Sequence, residues 1–336
     1  MKHSAALKFL ARALLSGVVL FALSSVAQVA PEPTENVPND PDHIAKLADD
    51  ALWRLELGDI ATVDTFRYTG LPRTAHATSP MILYAYSFVP KALDTSAQHP
   101  LIVLVHGGVH SNFETGGPAN AAHIVRELTQ LGYVIVAPEY RGSTGYGPQY
   151  QNAIDYGGKE NDDVLAARAW MLQKYPFLDP SRVGILGWSH GGMIALMNVL
   201  LHPEAYACAF AGEPVSDLTI RATYNKTLQQ TLAHSLVNSV GRSTAVSEEI
   251  YRQRSPDCYA SKLRKPLLVH GNTSDEVVHI DEIEHLIAAL KAAGKNFDSK
   301  IYTAAPGGHH FNRIDSKLAR DSRQEIYAFL NRYLHP

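Results

Sequence analysis

The chain has 336 residues, of which 46% are hydrophobic and 19% charged, an ordinary globular composition with enough apolar residues for one large core. Its formal net charge of -3 offers no basic field for nucleic acid or an anionic membrane. The expected partner is therefore a small molecule or a short polymer, and not a nucleic acid.

The first residues read as an export signal. Lys2, Lys8 and Arg12 form a positive start, Ala13 to Leu23 is an apolar run, and Ser25-Val26-Ala27 supplies the small residues that signal peptidase needs. A bacterial signal peptide over 1–27, cleaved after Ala27, is expected, because the run is short for a bilayer span. The mature protein is then periplasmic or secreted, with no membrane attachment. Residues 28–42 contain the proline-rich acidic stretch Pro31 to Pro38 and read as a linker. Helical spacing over Ile44 to Leu57 and paired strands over Thr62 to Phe88 follow, so 43–80 reads as a helix-and-strand extension.

From 81 to 336 short apolar runs alternate with helical patterns. This predicts an α/β domain: a mostly parallel central sheet flanked by helices on both faces. The runs fall at 82–86, 101–105, 133–137, 183–187, 207–210, 266–270 and 300–302. Helices are expected around 119–131, 161–174, 190–201, 280–293 and 319–333. Ligands of such sheets gather beyond the carboxyl ends of the strands. The segment 217–263 mixes helical and polar stretches and reads as a rim or lid over the pocket. Cys208 and Cys258 could pair or stay as two buried free thiols. Asn225-Lys226-Thr227 and Asn272-Thr273-Ser274 fit the glycosylation pattern and are read as accidental.

Gly187-Trp188-Ser189-His190-Gly191 is G-x-S-x-G between a predicted strand and a predicted helix, the context in which that turn lifts a serine hydroxyl above the sheet of an α/β-hydrolase fold. Ser189 is the candidate nucleophile. The amide of His190 and that of Gly108, in His106-Gly107-Gly108, are the candidate oxyanion donors. His106 itself reads as a residue that fixes its loop. A serine needs a base and the base needs an orienting acid, in the chain order Ser, acid, His. Asp275 follows the sixth run and is chosen as acid, with Glu276 its rival. His309 and His310 follow the last run, and local sequence does not choose between them. Glu213 could bind a substrate cation but reads first as a solvated or hydrogen-bonded loop carboxylate.

Over about residues 80–336 the chain resembles the catalytic domain of the prolyl oligopeptidase family of serine peptidases. The resemblance rests on His106-Gly107-Gly108, Tyr140-Arg141-Gly142-Ser143-Thr144-Gly145-Tyr146-Gly147, Gly157-Gly158-Lys159 with Asp162-Asp163-Val164, Gly187 to Gly192, Pro214-Val215-Ser216-Asp217, Ser255-Pro256, His270-Gly271 through Val277, and Gly308-His309. By that match the acid is Asp275, the base is His309, and Tyr140 and Arg141 have a structural role near the site. Family peptidases generally carry a β-propeller ahead of this domain. The roughly fifty residues expected before it here are too few for two blades of four strands, so the propeller-borne glutamates that hold a peptide's amino end are expected to be absent.

The expected chemistry is hydrolysis of peptide, aminoacyl or acyl bonds of small substrates through an acyl-enzyme, without cofactor or metal. A carboxylesterase acting on small acyl esters is the near alternative, and an inactive hydrolase fold used for binding is one of another class. A metal-dependent hydrolase lacks support, since the 16 histidines include no H-E-x-x-H.

Overall fold

The computed structural model describes residues 41–73, 77–116, 121–240 and 246–336, with side chains 121 and 238–240 excepted. The expected signal peptide and most of the expected linker lie outside the described residues. In chain order the elements are α1 (Pro41–Leu57), β1 (Ala61–Gly70), β2 (Met81–Pro90), β3 (His99–Val105), α2 (Ala121–Gln130), β4 (Val134–Glu139), α3 (Pro148–Gln151), α4 (Lys159–Lys174) and β5 (Leu178–Trp188). Then come α5 (His190–Leu201), β6 (Cys208–Gly212), α6 (Leu218–Tyr224), α7 (Leu228–Val240), α8 (Glu248–Gln253), β7 (Leu267–Asn272), α9 (Ile280–Ala292), β8 (Asp298–Tyr302) and α10 (Lys317–Leu334). None of the described helices is long and apolar enough to cross a membrane.

The eight strands form one sheet in the order β1-β2-β4-β3-β5-β6-β7-β8. Strands β3 to β8 are parallel, whereas β2 runs antiparallel to both β1 and β4. The run at 82–86 was expected in the parallel series, and this is a correction. An apolar run buried on both faces carries no mark of direction. Residues 41 and 42, expected in the linker, already belong to α1, where Pro41 occupies a first-turn position that needs no amide donor.

Side-chain alternation along β3 divides the core. Leu101, Val103 and Val105 join the layer with Val164 of α4, Ile194 of α5 and Leu286 of α9. Ile102 and Leu104 face the other way, into the layer with Trp53 of α1, Val125 of α2 and Leu330 of α10. The chain leaves β3 for β4 on one side and reaches β5 on the other. The order therefore reverses at β3, and the crevice beyond the ends of β3 and β5 is where a ligand site belongs.

Cys208 is buried and Cys258 exposed, and both are free. The disulfide alternative is thus not realised, and neither is the pair of two buried thiols. Asn272 has its side chain buried and hydrogen-bonded, which leaves no room for a glycan.

Candidate active site

Ser189 stands between β5 and α5 with φ 58° and ψ -122°. Such a backbone is uphill for any residue with a Cβ and persists only when its surroundings enforce it. Here glycines do so. A Cβ on Gly187 would lie 2.4 Å from the Gly191 carbonyl oxygen, and one on Gly191 would lie 2.4 Å from that of Val105. The strand and helix can approach this closely only without those side chains. The Ser189 amide donates to the Gly212 carbonyl at 2.9 Å and its carbonyl accepts from Met193 at 3.0 Å, which fixes the turn from both sides.

Asp275 follows β7 in a tight loop. One carboxylate oxygen, Oδ1, accepts from the amides of Val277 and Val278 at 2.8 and 2.9 Å, and Oδ2 lies 2.6 Å from Nδ1 of His309. This places the shared proton on Nδ1 and leaves Nε2 to receive one. The rival Glu276 is exposed. His309 sits in a short 3-10 turn, Gly308–His310, after Gly307 and Gly308, both with positive φ. Asn272 clamps the two loops together: its Nδ2 donates to the carbonyls of Ala305 and Gly308, and its Oδ1 accepts from the Ala305 amide. Sequence reading missed this residue. The only signal was its place in the glycosylation pattern.

Gly108 has φ 79°, and its carbonyl accepts from the Tyr140 hydroxyl at 2.7 Å. His106 stacks on Tyr140 with ring centroids 4.2 Å apart, and its Nε2 lies 2.9 Å from the Ser143 hydroxyl. Burial lowers the His106 pKa, with Glu139 opposing, so the ring is a neutral strut. Arg141 forks onto Asp163 with Nε and Nη2 at 2.7 and 2.8 Å, both side chains fully buried. The Tyr-Arg-Gly-Ser stretch thus braces the loop that carries Gly108. His190 begins α5, where the first amides have no partner within the helix.

A cavity of about 400 Å³ lies at this edge, and its lining includes Gly107, Gly108, Ser189, His309 and His310 together with the apolar Leu104, Phe113, Ile124 and Trp188. Ser189, His309 and Gly108 are therefore brought to one space. None of the described residues of 217–263 lines it. That segment is fastened instead to α9, by Arg221 on Glu282 at 3.2 Å and by His285 on Asp217 at 2.8 Å. Asp217, Asp257 and His285 form the one group among the described residues whose atoms could hold a metal ion, and Asp217 already caps α6. No member of that trio lines the cavity.

Glu213 is a correction. It is buried at the end of β6 with neither carboxylate oxygen bonded, so it is neither solvated nor hydrogen-bonded. Burial pushes its pKa well above the carboxylate range.

The strand order, the glycine-built turn after β5 and the acid and histidine after β7 and β8 define the α/β-hydrolase fold. Residues 120–336 match the model of the prolyl oligopeptidase family, and the chain belongs to that family. It is 29% identical to human dipeptidyl peptidase 8 over 242 residues, which are 71% of this chain and 26% of the relative. It is 28% identical to dipeptidyl aminopeptidase BIII of Pseudoxanthomonas mexicana over 271 residues, 80% of this chain and 36% of the relative. Among solved structures, an acylaminoacyl peptidase in complex with Z-Gly-Gly-Phe-chloromethyl ketone superposes with a TM-score of 0.67 at 21% identity, covering 81% of this chain and 41% of that one. The chain thus spans about a quarter to two-fifths of the length of these relatives.

Proposed function

We propose that this chain is an exported serine hydrolase that cleaves peptide or aminoacyl bonds of small substrates. Ser189 Oγ attacks the carbonyl carbon while its proton passes to Nε2 of His309, and Asp275 stabilises the imidazolium. The oxyanion accepts from the amides of Gly108 and His190. The intermediate collapses, the leaving amine takes the proton from His309, and water repeats the sequence to release the acid. The observation that carries this is the 2.6 Å bond between His309 and Asp275 at the cavity that Ser189 also lines. Family membership and relatives named as peptidases support the peptide bond as target. The apolar walls of the cavity favour a second reading, a carboxylesterase on small acyl esters.

A fluorophosphonate is expected to label the protein at Ser189, with labelling lost in Ser189→Ala and kcat on aminoacyl-arylamides lowered by about four orders of magnitude or more. Undiminished labelling and turnover in Ser189→Ala rule the assignment out. The ratio of kcat/KM on arylamides to that on acyl esters separates peptidase from esterase.

A further inference from the structure

The cavity beside Ser189 lies over one face of the sheet. Leu104, Phe113, Ile124 and Trp188, which line it, all belong to the apolar layer that α1, α2 and α10 form on that face. Helix α5, which leaves directly from Ser189, packs in the layer on the opposite face, with α4 and α9. Walls of this kind bind an apolar group by releasing the water between them. An apolar space of about 150 Å³ is enough for benzene, so about 400 Å³ has room for an aromatic or branched aliphatic group.

The histidine approaches the serine from that same face. Its turn leads into α10, and Arg323 of α10 donates to the carbonyls of Asn312 and Ile314, which fastens the turn there. The Arg313 guanidinium lies 5.7 Å from the centroid of the Trp188 ring. His309 and His310 line the cavity, whereas no described residue of α5 or of 217–263 does. A tetrahedral carbon bonded to Ser189 Oγ carries three other substituents. The oxyanion points to the amides of Gly108 and His190, and the leaving atom must come within about 3 Å of His309 Nε2 to receive its proton. The leaving group therefore extends over the α2 and α10 face, into the cavity, and the acyl part is directed away from His309.

We propose that this cavity is the leaving-group subsite, that it selects an apolar group on the departing side of the scissile bond, and that Ile124 sets the size accepted. This rests on the serine-hydrolase reading and holds for a departing amine or alcohol alike. Ile124 stands on α2, is 2% exposed, and belongs to neither the triad nor the oxyanion donors.

Acyl transfer on the whole protein tests it, because every competing amine meets the same acyl-enzyme. N-acetylalanine p-nitrophenyl ester acylates Ser189 and releases p-nitrophenol. An added amino-acid amide then attacks the acyl carbonyl, gives its proton to His309 Nε2 and displaces Ser189 Oγ, which takes that proton back. Water competes for the same step. The ratio of captured product to free acid is expected to favour phenylalaninamide or leucinamide over glycinamide by about tenfold or more. Ile124→Trp, which fills the space, should bring that preference to within about twofold. Ile124→Ala should shift it toward the larger naphthylalaninamide. Wild-type ratios within twofold, capture by no amine while the ester turns over, or a preference unchanged in both variants overturns the proposal. An Ile124→Trp effect that falls instead on a series of p-nitrophenyl esters of rising acyl length also overturns it, since the cavity would then hold the acyl part. Absent turnover together with absent Ser189 labelling refutes the hydrolase reading, while turnover with indifferent amines refutes only the subsite.

Discussion

Two groups of buried polar side chains flank the strand ends near Ser189, and they differ in how completely they are paired. On the β4 side, Lys46 Nζ meets Glu139 Oε1 at 2.6 Å and the Phe113 carbonyl at 2.8 Å, while Arg141 forks onto Asp163. Each charge there has its counter-charge, although Oε2 of Glu139 makes no hydrogen bond and has only the His106 ring nitrogen near it, at 3.4 Å. On the β6 and β7 side, Glu213 bonds through neither oxygen, both ring nitrogens of His270 lack a hydrogen-bond partner, and Arg313 and Trp188 each have a bare donor. The charge-paired group holds the loop that carries Gly108, where a small displacement would misplace the proposed oxyanion donor. The unsaturated group underlies the histidine turn, and it tolerates unpaired polarity because its carboxyl and its imidazole can each be neutral.

That contrast can be tested by substitution. The largest effect is expected on the charge-paired side. Asp163→Asn leaves the Arg141 guanidinium buried without a counter-charge and should lose about 3–5 kcal/mol of stability, read as a shift in urea midpoint. A loss below about 1 kcal/mol would mean that this pair does not anchor the loop.

The next effect is confined to acid. Burial holds His270 at a pKa of about 4, against an ordinary value of 6.5, although Glu325 at 3.9 Å pulls the other way. Between those values the unfolded chain binds the proton that the folded chain refuses. Stability from this group is therefore complete above about pH 6.5 and lost as pH falls to about 4, roughly 3 kcal/mol in all. His270→Phe, which suits the neighbouring rings of Phe210 and Tyr302, should flatten this limb of the stability profile. An unchanged limb would show that His270 does not carry it.

The smallest effect at pH 5 belongs to Glu213→Gln, which should change stability by about 1 kcal/mol or less. Because burial raises the Glu213 pKa, the folded protein keeps a proton that the unfolded chain sheds above the ordinary carboxylate range. Wild-type stability from this group thus falls as pH rises, and the variant should gain on the wild type between pH 5 and pH 8. A variant that loses ground at pH 8 would show an ionised, bonded Glu213 and erase the contrast.

Much of the architecture was legible because it is local. The α5 range 190–201 follows from a strand, a glycine-flanked serine and an apolar helical run, all adjacent in the chain. The order of Ser189, Asp275 and His309 was legible because each follows an apolar run. The choice between His309 and His310 depended on the family resemblance. It is His309 whose ring lies against Asp275, a matter of how Gly307 and Gly308 turn the backbone. What escaped depends on segments distant in sequence meeting in space. The direction of β2 is set by its neighbours, Asn272 acts on a loop about thirty residues away, and Arg313 lies beneath a turn that only the folded sheet positions.

The positive φ of Ser189 has an evolutionary corollary. The height and angle at which that residue projects are set by Gly187 and Gly191 and by two backbone bonds, none of which involves its hydroxyl. The turn is a pedestal indifferent to its cargo. A thiol placed there would be displayed in the same posture, so new reactivity could be tried at position 189 without rebuilding the scaffold beneath it.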